Sequence, residues 1–121
     1  MSDPVWPTGP DWPRVDRWTV RGERWVLSLH IGLDSPWLEG HFPRQPVLPG
    51  VVQLHWAIGL TQAVVVDLDG VDSVHRLKFR RPLVPPLDVE LTLDWQVPSR
   101  SLAFRYELDG ALHSSGRVQF S

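Results

Sequence analysis

The sequence predicts an α+β domain in which an antiparallel sheet wraps around one long helix. Three observations predict it: two strand-like segments begin the predicted domain, one apolar segment of helical length follows, and four strand-like segments come after it. Runs of strands with a single helix are typical of α+β proteins with antiparallel sheets. The 121 residues fit one domain, and no internal repeat divides them.

The composition is that of an ordinary globular protein, with 42% hydrophobic and 21% charged residues. A net charge of −2 gives no overall attraction for nucleic acid or anionic lipid. No run reaches the roughly 18 apolar residues of a membrane span, and the N-terminus does not read as a signal peptide. The chain has no cysteine, which excludes disulfides and thiolate chemistry. We therefore expect a cytoplasmic protein without a membrane span or a nucleic-acid partner.

A proline at every third position from Pro4 to Pro13, with two tryptophans between them, marks residues 1–13 as an extended arm. Two interpretations are open for this arm. It can be a tail that lies over the domain or stays mobile, or it can be a docking peptide for an aromatic groove. The single domain is predicted over residues 14–121.

Alternating apolar residues and turn signals predict six strands. The second strand places Trp25, Leu27 and Leu29 on one face. The pair Asp109-Gly110 between two strand patterns predicts a tight hairpin. The predicted strands cover residues 14–20, 24–32, 73–81, 87–96, 101–108 and 111–120.

Residues 50–66 predict the central helix. Apolar side chains occupy every face of a helix drawn over this segment, and the segment is longer than an ordinary strand. A helix that is apolar on all sides is expected to be buried on all sides, so we expect the sheet to curl around it. The helix should end before Asp67 and Asp69, because acidic residues are unfavourable at a helix C-terminus.

The loop ahead of this helix carries the strongest chemical signal. It reads GHFPRQPVLPGV from Gly40 to Val51, and a helix cannot run through its proline spacing. It places His41 just before a helix N-terminus, where Gly50 and Val51 offer free backbone N–H groups and the positive end of the helix dipole. A base in this position can remove a proton next to a carbonyl while the amides hold the developing enolate.

This segment resembles the 3-hydroxyacyl-[acyl-carrier-protein] dehydratases, whose signature is a Gly-His-Phe-Pro loop followed by a Pro-Val-(hydrophobic)-Pro-Gly-Val helix start. The basic stretch HRLKFRRP from His75 to Pro82 is a second match. The order of strands and helix also agrees, so the resemblance covers about residues 14–120. The helix start VVQLHW is similar to that of the small dehydratases of aryl-polyene pigment clusters.

The resemblance implies the hotdog fold, a homodimer or a larger assembly of dimers, and an active site at the dimer interface. It also implies an acyl thioester substrate on acyl carrier protein and no cofactor. In this family the loop histidine acts with a carboxylate on the central helix of the other subunit. His41 matches the histidine, whereas His55 stands at the carboxylate position and Gly59 replaces the common glutamine.

The remaining residues of the motif are expected to line the substrate site. These are Phe42 in the loop and Pro49, Gly50 and Val51 at the helix start.

His55 leaves two interpretations open. It can be a buried histidine satisfied by one hydrogen bond, or it can donate a proton to the leaving hydroxide. Glu39 is either a substitute acid or a solvated loop charge. His41 and His55 lack a third ligand, so we expect no metal site.

Arg76, Lys78 and Arg80 alternate with two apolar residues, so one face of the third strand is predicted to be basic. Together with Arg81, and with Arg44 nearby, they form a candidate docking surface for the acidic acyl carrier protein. An ordinary charged outer sheet face is the alternative.

Three functions remain open on the sequence alone. Dehydration of a 3-hydroxyacyl thioester fits the motif. Thioester hydrolysis usually needs a carboxylate to activate water, and the central helix has none. A non-catalytic acyl-binding or partner subunit is suggested by His55.

Overall fold

The computed structural model describes residues 3–38, 46–65, 68 and 70–121. Within them the chain forms six strands, one α-helix and a short 3-10 helix in the predicted order. In chain order the elements are β1 (Arg14–Arg21), β2 (Arg24–Ile31), a 3-10 helix (Pro36–Leu38), α1 (Gly50–Gln62), β3 (Val71–Phe79), β4 (Leu87–Gln96), β5 (Ser101–Leu108) and β6 (Ala111–Phe120).

The six strands form one antiparallel sheet in the order β1-β2-β4-β5-β6-β3. The connection through α1 takes the chain from β2 to β3 at the far edge, so β1 and β3 are the two edge strands. Between them, β4, β5 and β6 are joined by hairpins and form the middle of the sheet. This arrangement confirms the predicted antiparallel sheet with a single helix.

The alternation of apolar and polar residues predicted the bounds of most strands. β4, β5 and β6 have the predicted bounds, and β1 and β2 differ by one residue at one end. β3 begins and ends two residues earlier than predicted. Its end is displaced because the N–H groups of Arg80 and Arg81 both donate to the carbonyl of His113, which closes the strand ladder there.

The helix differs from its prediction in length and in burial. It ends at Gln62, and the N–H groups of Ala63 and Val64 bond three residues back in a tightened last turn. The expectation of burial on all sides was wrong, because one sheet of a single chain covers only one side of a helix. Val51 is 72% exposed and His55 is also exposed.

The buried side of α1 packs on the sheet. Trp56, Ala57 and Leu60 are almost inaccessible to solvent, and they belong to one core cluster with side chains from β2, β4, β5 and β6. The sheet residues of this core include Leu27, Leu29, Leu91, Leu93, Leu102, Phe104, Tyr106 and Val118. None of the helices formed by the described residues is long and apolar enough to cross a bilayer.

A buried polar network fixes the first turns of α1 to the sheet. The Gln53 side chain donates to the carbonyl of Leu48 at 3.1 Å and accepts a hydrogen bond from the Ser114 hydroxyl. The Tyr106 hydroxyl donates to the backbone carbonyl of Gln53 at 2.7 Å. Burial raises the pKa of Tyr106, so this hydroxyl stays a neutral donor. The network ties the segment that enters the helix to β5 and β6.

Replacing Gln53 with leucine should lower the free energy of unfolding by about 2 kcal/mol, because the Ser114 hydroxyl and the Leu48 carbonyl then lose a buried partner. Denaturant unfolding at fixed protein concentration measures this change. The double change Gln53→Leu with Ser114→Ala should lose less than the sum of the single changes, since the hydroxyl left without a partner is gone. Strict additivity would contradict the network.

Candidate active site

The loop half of the predicted site lies outside the described residues. This half comprises His41 and Phe42, together with Glu39 and Arg44. Their proposed roles therefore stay predictions. The helix half, from Pro49 through His55, is described in full.

The first turn of α1 leaves two backbone donors available. Pro49 precedes the helix, and its carbonyl accepts hydrogen bonds from the N–H groups of Val52 and Gln53 at 3.1 and 3.2 Å. No side chain of the described residues caps the helix start. Within the described part of the chain, the N–H groups of Gly50 and Val51 have no acceptor. Two adjacent amides at a helix N-terminus can hold a negatively charged oxygen.

An aromatic ring lies against the same turn. A Cβ atom added at Gly50 would lie 2.7 Å from Cζ of Phe79, which is closer than two such atoms can approach. A side chain at residue 50 would therefore push the Phe79 ring away from the helix start. Phe79 is 49% exposed and borders the free amides, although the sequence indicated only that it lies on the apolar face of its strand.

His55 is exposed and contacts aromatic rings, so the first of its two interpretations, a buried histidine satisfied by one hydrogen bond, does not fit the structure. Its imidazole stacks on Trp12 with the ring centres 5.1 Å apart and the planes inclined by 29°. Trp37 meets the imidazole edge-on at 6.2 Å. The histidine is exposed because its helix face points away from the sheet, and the cover it does have comes from Trp12 of the arm and Trp37 of the 3-10 helix.

The arm lies on the sheet and the helix. The backbone carbonyl of Asp11 accepts hydrogen bonds from the indole N–H groups of Trp37 and Trp56, both at 2.8 Å. Farther along the arm, Trp6 packs edge-on against Trp18 and Trp25 at 5.7 and 5.9 Å. Residues 3–13 therefore follow the first of the two interpretations, a segment that lies over the rest of the protein.

Gly59 explains why the arm can approach so closely. A Cβ atom at Gly59 would lie 2.6 Å from Cζ3 of Trp12, so any larger residue would displace the indole. Sequence reasoning noticed Gly59 only as a departure from the family pattern, and it missed the roles of Trp12 and Trp37. The available signal was the glycine itself, because glycine inside a helix costs about 1 kcal/mol relative to alanine and often marks a close approach.

The structure separates the four basic residues predicted to form a docking surface. Arg76 and Lys78 line a cleft of about 250 Å³ on the outer sheet face, together with Arg105 and Arg117. Arg80 and Arg81 are exposed beyond the end of β3 and do not line the cleft. The cleft forms because register places Lys78 and Arg105 on either side of the small Ser115, and Ala103 beside Arg117.

Two of the charged residues that line this cleft form ion pairs. Arg105 forms an ion pair with Glu107 at 2.7 Å. Asp94, which also lines the cleft, is paired with Arg24 at 2.9 Å.

Among the described residues, no three His, Asp or Glu side chains come together in a way that could hold a metal ion.

Comparison with known proteins shows that this chain is similar to dehydratases. The family model described as ApeI-like, ApeI dehydratase, matches residues 17–117. Two curated relatives are 3-hydroxyacyl-[acyl-carrier-protein] dehydratases FabZ. The one from Granulibacter bethesdensis is 36% identical over 75 residues, which is 54% of this chain and 44% of that protein. The one from Rhodospirillum rubrum is 31% identical over 75 residues, or 54% and 47%. The matched part thus spans about half the length of these relatives.

Solved structures agree with the fold. The dehydratase heterocomplex ApeI:P from Xenorhabdus doucetiae superposes with a TM-score of 0.77 and 28% identity, covering 89% of this chain and 96% of that one. The dehydratase domain from the CurJ module of curacin polyketide synthase has a TM-score of 0.66 at 16% identity, covering 88% and 41%, and supports the fold alone. The resemblance drawn from the two sequence motifs is confirmed. This chain has the hotdog fold and belongs to the ApeI-like dehydratase family.

Proposed function

We propose that this protein removes water from a 3-hydroxyacyl thioester carried on acyl carrier protein and leaves the trans-2-enoyl thioester. The observation that carries the proposal is the start of α1, where no described residue accepts a hydrogen bond from the Gly50 and Val51 amides and the sequence places the His41 motif directly ahead. The FabZ relatives, which bear the name of this reaction, support it.

Each step of this loss of water can be assigned to residues of this chain. His41 takes the proton from C2 of the acyl chain, and the Gly50 and Val51 N–H groups stabilise the charge that develops on the thioester oxygen. The bond between C3 and its hydroxyl then breaks, and the hydroxyl leaves as water with a proton from His55. A double bond between C2 and C3 remains. Since no oxidation occurs, the reaction needs no redox cofactor.

We propose that the active unit is a homodimer or a larger assembly of dimers, with His41 of one subunit facing His55 of the other. Two features support this assembly. The edge strand β3 exposes Leu77 and Phe79 to 40% and 49%, and exposed apolar strand edges favour pairing. The open face of α1 also exposes Val51, so a second subunit could cover both surfaces.

For acyl carrier protein, we propose docking at the basic end of the outer sheet face. The surface consists of Arg76, Lys78, Arg80 and Arg81, as the sequence indicated, extended by Arg105 and Arg117 of the cleft. Positive charges on one face would attract an acidic partner even though the whole chain is slightly acidic. A cytoplasmic location and a role in fatty acid or aryl-polyene synthesis belong to the same proposal.

A second candidate function is that of a partner subunit in a mixed dehydratase. His55 replaces the carboxylate that the family uses on this helix, so a homodimer would contain no helix carboxylate at either site. The similar structure from Xenorhabdus doucetiae is a dehydratase heterocomplex. In this alternative, a second dehydratase-like chain would supply the carboxylate opposite His41.

Incubation with a 3-hydroxyacyl thioester, followed by mass spectrometry, tests the main proposal. We expect loss of water from the substrate, and His41→Ala should reduce the rate by about 10²–10⁴-fold because it removes the positioned base. Release of free acid would instead indicate a thioesterase. An unchanged but bound substrate would favour the partner-subunit function, which adding a dehydratase-like chain that carries the helix carboxylate should then reveal.

Substitutions at His55 test its role as proton donor. His55→Ala should lower the dehydration rate while acyl binding, followed by calorimetry, stays within about twofold. His55→Glu restores the family's usual pairing and should keep or raise the rate. In the proposed dimer a second subunit would cover this face of α1, and a carboxyl group shielded from water stays protonated to higher pH and can donate. An alanine variant that turns over as fast as the parent would remove His55 from the mechanism.

Charge reversal tests the docking surface. Arg76→Glu with Lys78→Glu should raise the KM for the carrier-linked substrate much more than that for a small thioester, and the difference should shrink at high salt because surface attraction is screened. The matched control is Arg17→Glu with Arg21→Glu on the opposite edge strand, which makes the same charge change. Equal losses on both substrates, or equal losses in both variants, would rule out this surface.

A further inference from the structure

The arm and the helix meet at His55. The imidazole is exposed to solvent, yet it stacks on Trp12 and touches the edge of Trp37. Among the described residues, no hydrogen bond holds this side chain. Its orientation therefore depends on ring contacts, and the nearest and most parallel of these is with Trp12.

Trp12 is itself held from two directions. Its neighbour Asp11 is fixed through the backbone carbonyl, which accepts from the Trp37 and Trp56 indoles. On the helix side, the missing side chain of Gly59 makes room for the indole one turn beyond His55. Both departures from the family pattern on this helix, His55 and Gly59, thus contact the same tryptophan.

We propose that Trp12 is a positioning residue of the active site, which holds the His55 imidazole in the orientation needed to donate its proton. This inference rests on the dehydratase function proposed above. An exposed side chain otherwise samples several rotamers, and a ring contact of this kind contributes about 0.5–1.5 kcal/mol toward one of them. Rate depends steeply on such preorganisation, since misplacement by about 1 Å can cost about 10²-fold.

The arm itself supplies the control residue. Trp12→Ala removes the stack on His55, whereas Trp6→Ala removes an indole of the same arm that packs on Trp18 and Trp25 and does not stack on the imidazole. We expect Trp12→Ala to lower kcat by about 3–10-fold with little change in KM, which is the change in population that the loss of such a ring contact produces. Trp6→Ala should leave kcat within about twofold of the parent, and Trp12→Phe, which keeps a flat ring, should recover most of the loss.

A second variant displaces the indole without changing it. Gly59→Ala places a Cβ atom where the Trp12 ring lies, and alanine is a better helix former than glycine by about 1 kcal/mol. The kcat of Gly59→Ala should fall as in Trp12→Ala although the helix is intrinsically favoured. The double variant should be no slower than the slower single variant, because both changes remove one contact. Thermal unfolding of every variant identifies any that has lost its fold.

A double variant tests whether Trp12 acts on the rate through His55. In a His55→Ala background, Trp12→Ala should change kcat by less than about twofold, since the ring that it positions is gone. The inference is overturned if a folded Trp12→Ala retains the parent's kcat, if Trp6→Ala loses as much, or if Trp12→Ala slows the His55→Ala enzyme further by its full factor. A parent that never dehydrates the substrate overturns the proposed function together with this inference, whereas an active parent with an indifferent Trp12 overturns the inference alone.

Discussion

One six-stranded sheet can bury only one side of an apolar helix, and most of this protein is organised around that constraint. Trp56, Ala57 and Leu60 fill the side of α1 that faces the sheet. The opposite side carries Val51 and His55, and it is covered in part by Trp12 of the arm and by Trp37. The open face and the exposed edge of β3 lie at the start of the helix, where Phe79 contacts Gly50. The surface left uncovered by the fold is therefore the surface on which the proposed chemistry and assembly depend.

The helix start combines free donors with a rigid support. The amides of Gly50 and Val51 have no acceptor in the part of the chain that the structure describes, while Gln53, one turn later, is held in the core by Ser114 and by Leu48. Amides fixed by a buried network need little reorganisation when charge develops on a substrate oxygen. The same network restrains Leu48, which is seven residues after His41 in the sequence.

The secondary structure of single segments could be predicted from the sequence, whereas contacts between residues far apart in the chain could not. Alternation fixed the bounds of β4 to β6, and the dehydratase-like motif located the helix start. The surroundings of His55 could not be predicted, because the covering ring comes from Trp12, more than forty positions earlier. The cleft of Arg76 and Lys78 likewise depends on register with Arg105 and Arg117 on neighbouring strands. The loop of His41 lies outside the described residues, so the sequence motif alone supports its role.

The anchor of the arm is a main-chain atom. Since the Asp11 carbonyl accepts both indole N–H groups, its position is set by the backbone and not by the identity of the side chain at residue 11. Only Trp12 and Pro13 separate this carbonyl from the first residue of β1. Residue 11 can therefore drift in evolution without loosening the arm, whereas inserting or deleting one residue before β1 would move the indole of Trp12 off its glycine. The contact is encoded in the length of a two-residue connection.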